Sequence, residues 1–199
     1  MLLQYIIKSK SEEDILRQAR AALAAGVVWL EIDADVSVSD DTVASVIDAI
    51  RPELAERNCM LILAGRIDTA KTLKADGVHI YRSERPVSAA RVALDAWPII
   101  GVSVSSRDDA EALRGYDIDY LYLERNPGDD TKPVSEIAAW LEEKDIETPL
   151  VAAGAITAAD VEALARAGAN AVAIDASVAA ESEKLQATIS ELKKVADMI

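Results

Sequence analysis

"PLVAAGAITAADVEALARAGANAVAI", residues 149–174, holds one repeat of the fold. The run "PLVAA" reads as a buried strand, and Gly154 and Ala155 supply a small-residue turn after it. Thr157 stands directly before "AADVEAL", placing a hydroxyl acceptor and an acid where a helix begins. Gly168 marks the end of that helix, and "NAVAID" is a second apolar strand. A helix that starts just beyond a strand end aims its first backbone N–H groups at the carboxyl end of the sheet, where they can hold a phosphate.

The same rhythm extends to both ends of the chain. The other predicted strands are "LLQYIIK", "VVWLEID", "CMLILA", "GVHIY", "PIIGVSV" and "DYLYLE". Helical patterns follow them at 12–24, 41–56, 69–74, 88–96, 107–114 and 135–144, with 158–167 and about 181–198 after the last two strands. Ser11 before "EED" is a second cap, and Gly26, Gly77 and Gly115 join Gly168 as helix-ending turn residues. Eight strands, each followed by a helix, is the count of a single-domain (β/α)8 TIM barrel spanning residues 1–199. The rival, a doubly wound open sheet, needs a glycine-rich first turn, and "IIKSKSEE" has no glycine. With 199 residues the barrel is small and its loops must be short.

Composition narrows the function. Hydrophobic residues make up 51% of the chain but aromatics only 4%, with no Phe, so Ala, Val, Ile and Leu must build the core. A net charge of −14 argues against nucleic acid and against anionic membranes, both of which select basic surfaces. The single cysteine, Cys59, lies in an apolar run and reads as a buried, inert thiol. "MLLQYIIKSK" is too short and too soon charged for a signal peptide, and no run is long enough for a membrane span, so a cytoplasmic protein is expected.

Strand two carries the unusual chemistry. In "WLEIDAD", residues 29–35, Glu31, Asp33 and Asp35 alternate with apolar residues, so all three project to one face. In a barrel that face is the interior and its carboxyl-end mouth. Lys8, Arg66, Arg82, Arg125 and Lys132 fall at or just after strand ends, hence at the same mouth. The acids could bind a divalent metal or act as general acid and base, or they could simply close an ion-pair network with those cations. His79 is the only histidine and the one side chain whose unperturbed titration falls near neutrality, which makes it a candidate acid/base group beside the structural reading. Trp29, Trp97 and Trp140 read as packing residues.

Four stretches, "ADGVHI" (75–80), "IIGVSVSS" (99–106), "TKP" (131–133) and the opening segment, resemble the thiamine-phosphate synthase and TenI-like thiazole tautomerase superfamily of small barrels. The resemblance spans the whole chain. It implies a transferase that joins a pyrimidine pyrophosphate to a thiazole phosphate with magnesium, or a related isomerase, and by analogy a homodimer. The family's second strand ends in Gln-x-Arg-x-Lys, where this chain has Glu31, Asp33 and Asp35. Its third strand ends in Asn-Asp, replaced by Ala64 and Gly65, and its fourth near Gln-x-Asp, replaced by Arg82 and Glu84. Ser103 is retained, the usual following histidine is Ser105, and Arg125 takes the place of a tautomerase acid/base histidine.

The residues' own chemistry makes Glu31, Asp33, Asp35 and His79 the candidate catalytic group, joined by Arg125 at the position the resemblance gives to a catalytic histidine. Carried over residue by residue, the resemblance has Lys132, Gly154, Ala155 and Ser177 cradle phosphate, while Arg66, Arg82, Ser103 and Ser105 contact the rest of the ligand. Glu84 is the carboxylate left for magnesium; no other cofactor is implied. The expected function is a divergent family member that binds a small phosphorylated ligand at the mouth, with the synthase reaction itself disfavoured by the lost bases. The alternative is a non-catalytic barrel serving as a ligand sensor or a protein-interaction module.

Overall fold

Every apolar run becomes a strand, and the strands close on themselves. The computed structural model describes residues 1–81, 87–94, 98–125, 130–179 and 182–199. Strands β1 (Leu2–Ser9), β2 (Trp29–Ala34), β3 (Met60–Ala64), β4 (Gly77–Ile80), β5 (Ile99–Val104), β6 (Tyr120–Glu124), β7 (Leu150–Ala153) and β8 (Ala171–Ile174) are all parallel. They pair in chain order, with β8 back against β1, as a single-domain (β/α)8 barrel. Helices α1 (Glu12–Ala24), α2 (Asp40–Glu56), α3 (Ile67–Leu73), α4 (Val87–Leu94), α5 (Arg107–Ala112), α6 (Lys132–Glu143), α7 (Ala158–Arg166) and α8 (Leu185–Asp197) separate and follow them. No helix among the described residues is long and apolar enough to cross a membrane.

Period-two alternation divides each strand between two cores. Outward residues such as Ile7, Leu30, Ile32, Leu63 and Ile100 pack with the helices in one large cluster. Inward residues, including Ile6, Trp29, Ile62, Tyr120, Tyr122 and Val151, form a separate cluster inside the barrel. One polar tip on the outer layer has a clear partner: the buried Tyr5 hydroxyl donates to Gln18 Oε1 on α1 at 3.0 Å. Cys59 is buried as expected, and burial pushes its thiol up to about 12, far from the thiolate that reacts.

A repeated device ties the amino ends of the strands. Asp76, directly before β4, accepts the Leu61 N–H of β3 at 2.7 Å. Asp119, before β6, accepts the Ile100 N–H of β5 at 2.7 Å, and Asn170, before β8, accepts the Leu150 N–H of β7 at 2.8 Å. Each short side chain satisfies a donor that the start of the neighbouring strand would otherwise bury unpaired.

Several boundaries differ from the sequence reading. Gly77 does not end a helix; it lies within β4, where a Cβ would overlap the Ile99 carbonyl oxygen on β5. The turn that ends α3 is made by Lys74, in the left-handed region at φ 53°. Helix α6 starts at Lys132, three residues early, because Pro133 suits the first turn, where no N–H is needed. A 3-10 turn, Ser182–Lys184, delays α8 to Leu185. The end of the fourth helical pattern, with Trp97, lies outside the described residues.

The opening segment behaves as read. Thr157 donates both its N–H (2.8 Å) and its hydroxyl (2.7 Å) to Asp160 Oδ2, and these bonds hold the Asp160 carboxyl below its ordinary range. Asp160→Ala should therefore cost about 1 kcal/mol at neutral pH. A carboxyl with a depressed pKa contributes stability above its unfolded value, roughly 3.9, and loses it as pH falls through the folded value. Urea unfolding should show the gap between wild type and variant narrowing below about pH 4.

Candidate functional site

Inside the barrel, four strands contribute one chain of polar groups. Gln4 on β1, Glu31 on β2, His79 on β4 and Ser103 on β5 all have inward parity. Gln4 Nε2 donates to Glu31 Oε2 at 2.7 Å. The other carboxylate oxygen, Oε1, lies 2.9 Å from His79 Nδ1, and His79 Nε2 lies 2.9 Å from Ser103 Oγ. Glu31 and Gln4 are wholly buried and His79 is 1% exposed, whereas Ser103 is half-buried on the side of the mouth. A buried carboxylate is sustainable only when its oxygens are bonded, and here both are.

Aromatic rings fix the imidazole. Tyr81 stacks on it with centroids 5.0 Å apart and planes 30° apart, and Tyr122 packs at 4.6 Å. The Tyr81 hydroxyl donates to Asp33 Oδ2 at 2.5 Å. Burial raises the Tyr81 phenol, and its bond to Asp33 raises it further; burial and then Glu31 raise Tyr122. Both phenols stay protonated over the whole ordinary pH range, and Tyr81 acts as a neutral donor to Asp33.

The rim is more acidic than basic. Lys8 Nζ lies 3.2 Å from Glu124 and 3.5 Å from Asp175. Burial pulls the Lys8 ammonium down, but Glu124, Asp175 and Asp33 outweigh it and hold the group above its usual value. Asp35 turns away from the polar chain: it accepts from the Ser37 N–H at 3.0 Å and hydroxyl at 2.7 Å, with Lys10 at 3.8 Å. Arg66 pairs with Asp40 and donates to the carbonyls of Asp35 (3.0 Å) and Val38 (2.8 Å), clamping the loop after β2 beside a cleft lined by Ala34, Gly65 and Thr69. Among the described residues, Arg66 is turned to Asp40 and to loop carbonyls rather than to a strand-two carboxylate. Glu31 and Asp33 bond neutral or titratable partners instead.

The remaining expected groups are spread around the mouth. Ser105 turns to Asp109 on α5, donating both its N–H and its hydroxyl. Gly154, at φ 130°, passes so close to β6 that a Cβ would overlap the Arg125 carbonyl oxygen, and its N–H donates to Ala173 O at 3.2 Å. Ala155 is exposed, and the Ser177 N–H donates to Asp175 Oδ1 at 2.8 Å. Arg125 donates to the Asp130 carbonyl at 3.3 Å, and Lys132 lies 3.5 Å from Glu136. Arg82 and Glu84 lie outside the described residues. Ala64 and Gly65 bring no side-chain oxygen to the end of β3, and among the described residues no group of three or more His, Cys, Asp or Glu is placed to hold a metal ion.

Sequence reading missed Gln4, Tyr81, Tyr122, Glu124 and Asp175. The signal was available in the same form as for Glu31: "LLQYIIK" and "DYLYLE" also place polar atoms on the inward parity of apolar strands.

With the geometry in place, comparison with known proteins is informative. The family model described as thiamine monophosphate synthase matches residues 3–178. The thiamine-phosphate synthase of Bacteroides fragilis strain YCH46 is 29% identical over 94% of this chain and 96% of its own. That of Methanoculleus marisnigri is 31% identical, covering 95% of this chain and 90% of its own. Among solved structures, thiamine phosphate pyrophosphorylase from Pyrococcus furiosus superposes with a TM-score of 0.84 over 99% of this chain and 96% of its own, at 20% identity, a likeness of fold.

Proposed function

Because the chain belongs to the thiamine monophosphate synthase family, we propose that it is a divergent member that binds a small phosphorylated ligand at the carboxyl end of the barrel without running the pyrophosphate-releasing synthesis at an ordinary rate. One observation carries the reading: the strand-two positions that the resemblance gives to pyrophosphate binding hold inward acids, Glu31 bonded to His79 and Asp33 to Tyr81. A pyrophosphate placed there meets like charge, at a cost of about 3 kcal/mol per pair for charges 5 Å apart at an effective dielectric near 20. Lys8, a cation beside Asp33, is already shared between Glu124 and Asp175. The Gly154–Ala155 turn, Ser177 and Lys132 remain as the phosphate side, and the buried, inert Cys59 accords with a cytoplasmic setting.

Two measurements test this. Incubation of the two thiamine precursors with magnesium should give turnover at least about 10³-fold below the roughly 10 s⁻¹ of a median enzyme, and a rate near that median would refute the divergence. A thermal-shift titration with thiazole phosphate and sugar phosphates should raise Tm in wild type and less in Lys132→Ala, since a ligand that binds only the native state stabilises it by mass action. Equal shifts in both, or none, would remove the phosphate side. The pairing of Lys8 with Glu124 and Asp175 at the rim favours a second reading, a non-catalytic sensor, which predicts the shift with no turnover of any ligand that produces it.

A further inference from the structure

We propose that Ser103 is a base-activated nucleophile and that Glu31, His79 and Ser103 work as an acid–base triad opening small carboxylic esters at the barrel mouth. The inference is independent of the phosphate reading and uses a different part of the interior. Its basis is the order of the groups. A carboxylate sits on Nδ1 and a hydroxyl on Nε2 of one imidazole, both at 2.9 Å, which is the arrangement that lets a neutral histidine take a hydroxyl proton while the acid holds its tautomer. Triads are recognised by such roles, whatever fold carries them.

Burial grades along the chain in the direction that catalysis needs. Glu31 is sealed in the interior, His79 lies next, and Ser103 is half-buried, so the only member able to meet a ligand is the one that would attack it. A purely structural role explains this less well, because a buried carboxylate and imidazole among Ile62, Trp29 and Tyr120 could give way to apolar side chains at no cost to stability. Gln4 and Tyr81 add orientation: one bonds the second carboxylate oxygen, the other stacks on the ring. Tyr122 is paired with Ser103 in the sheet register and packs against the imidazole, so its phenol lines the same interior wall.

In the step, Ser103 Oγ bonds to the ester carbonyl carbon while its proton passes to His79 Nε2. The bond to the alcohol oxygen breaks, and that oxygen takes the proton from Nε2. A water molecule then gives a proton to Nε2 as its oxygen attacks the acyl carbon, and Ser103 leaves with that proton. The balance is ester and water in, acid and alcohol out.

An alkyl fluorophosphonate tests the first half without a known substrate, because Oγ–P forms as fluoride leaves. Intact-mass analysis and peptide mapping of the folded full chain should find one adduct, on Ser103, absent in Ser103→Ala. His79→Gln should slow labelling at least about 100-fold, and Glu31→Gln at least about 10-fold, the latter with Tm close to wild type. Because His79 is the sole histidine, ¹⁵N spectra of its ring report one residue, and the Nδ1–H tautomer is expected. Folded wild type without an adduct on Ser103, labelling equally fast in His79→Gln, or an Nε2–H tautomer would each overturn the proposal.

Discussion

Replacing Glu31 with alanine is expected to lower folding stability by about 3–5 kcal/mol, whereas glutamine at the same position should cost under about 1 kcal/mol. The difference follows from what each replacement leaves behind. Alanine strands His79 Nδ1 and Gln4 Nε2 in a wholly buried space and opens a cavity among apolar neighbours. Glutamine keeps the shape and one acceptor oxygen for the imidazole N–H. Its new amide donor faces Gln4, whose own Oε1 is buried with no partner among the described residues, so a flip of the Gln4 amide restores the bond. Urea unfolding of both variants at neutral pH checks this. A loss of 3 kcal/mol or more for glutamine would mean that the ionised carboxylate itself, rather than its hydrogen bonds, holds the interior together. A typical domain has only about 5–15 kcal/mol of stability, so the alanine effect should be unmistakable.

The same pair separates stability from chemistry. If glutamine preserves folding and alanine does not, Glu31→Gln becomes the clean probe of whether the carboxylate matters for Ser103 reactivity.

Glu31 also marks where sequence reading succeeds and where it stops. Alternation in "WLEIDAD" was enough to turn Glu31 and Asp33 into the barrel, because parity is a property of one strand. It could not name their partners. Which side chain lies across the interior depends on strand tilt and stagger, which no single strand encodes. Five strand-end cations therefore made an ion-pair network the natural expectation. In the structure Arg66 is spent on Asp40 and on loop carbonyls, and Glu31 bonds His79. Asp35 has the same parity but lies one residue beyond β2, where chain direction is set by a turn, so it bonds Ser37 instead. Strand count, by contrast, was fully legible: each repeat carries its own punctuation, and eight repeats close a barrel. Gly77 misled because glycine serves both helix ends and close strand contacts, and only the neighbouring strand distinguishes the two uses.

Glycine in a strand leads to the other large expected effect. Gly101→Ala should destabilise the protein by about 3 kcal/mol or more, at the upper end for overpacking. The Cβ would fall on the Tyr120 ring, overlapping its Cζ, Cε2 and hydroxyl oxygen, and that ring has nowhere to go. Tyr120 is 2% exposed, meets Trp29 edge-on at 5.1 Å, and faces His79 at 6.0 Å on its other flank. Relief must come either by moving the imidazole, which would break its bonds to Glu31 and Ser103, or by pushing β5 off β6. Shrinking the ring should therefore rescue the glycine change. In a double-mutant cycle, Tyr120→Leu costs stability by itself, yet Gly101→Ala added to it should cost less than about 1 kcal/mol, a coupling of 2 kcal/mol or more. Denaturant midpoints of the four proteins measure it. Additive effects would show that Gly101 serves the backbone conformation of β5 rather than the space that Tyr120 fills.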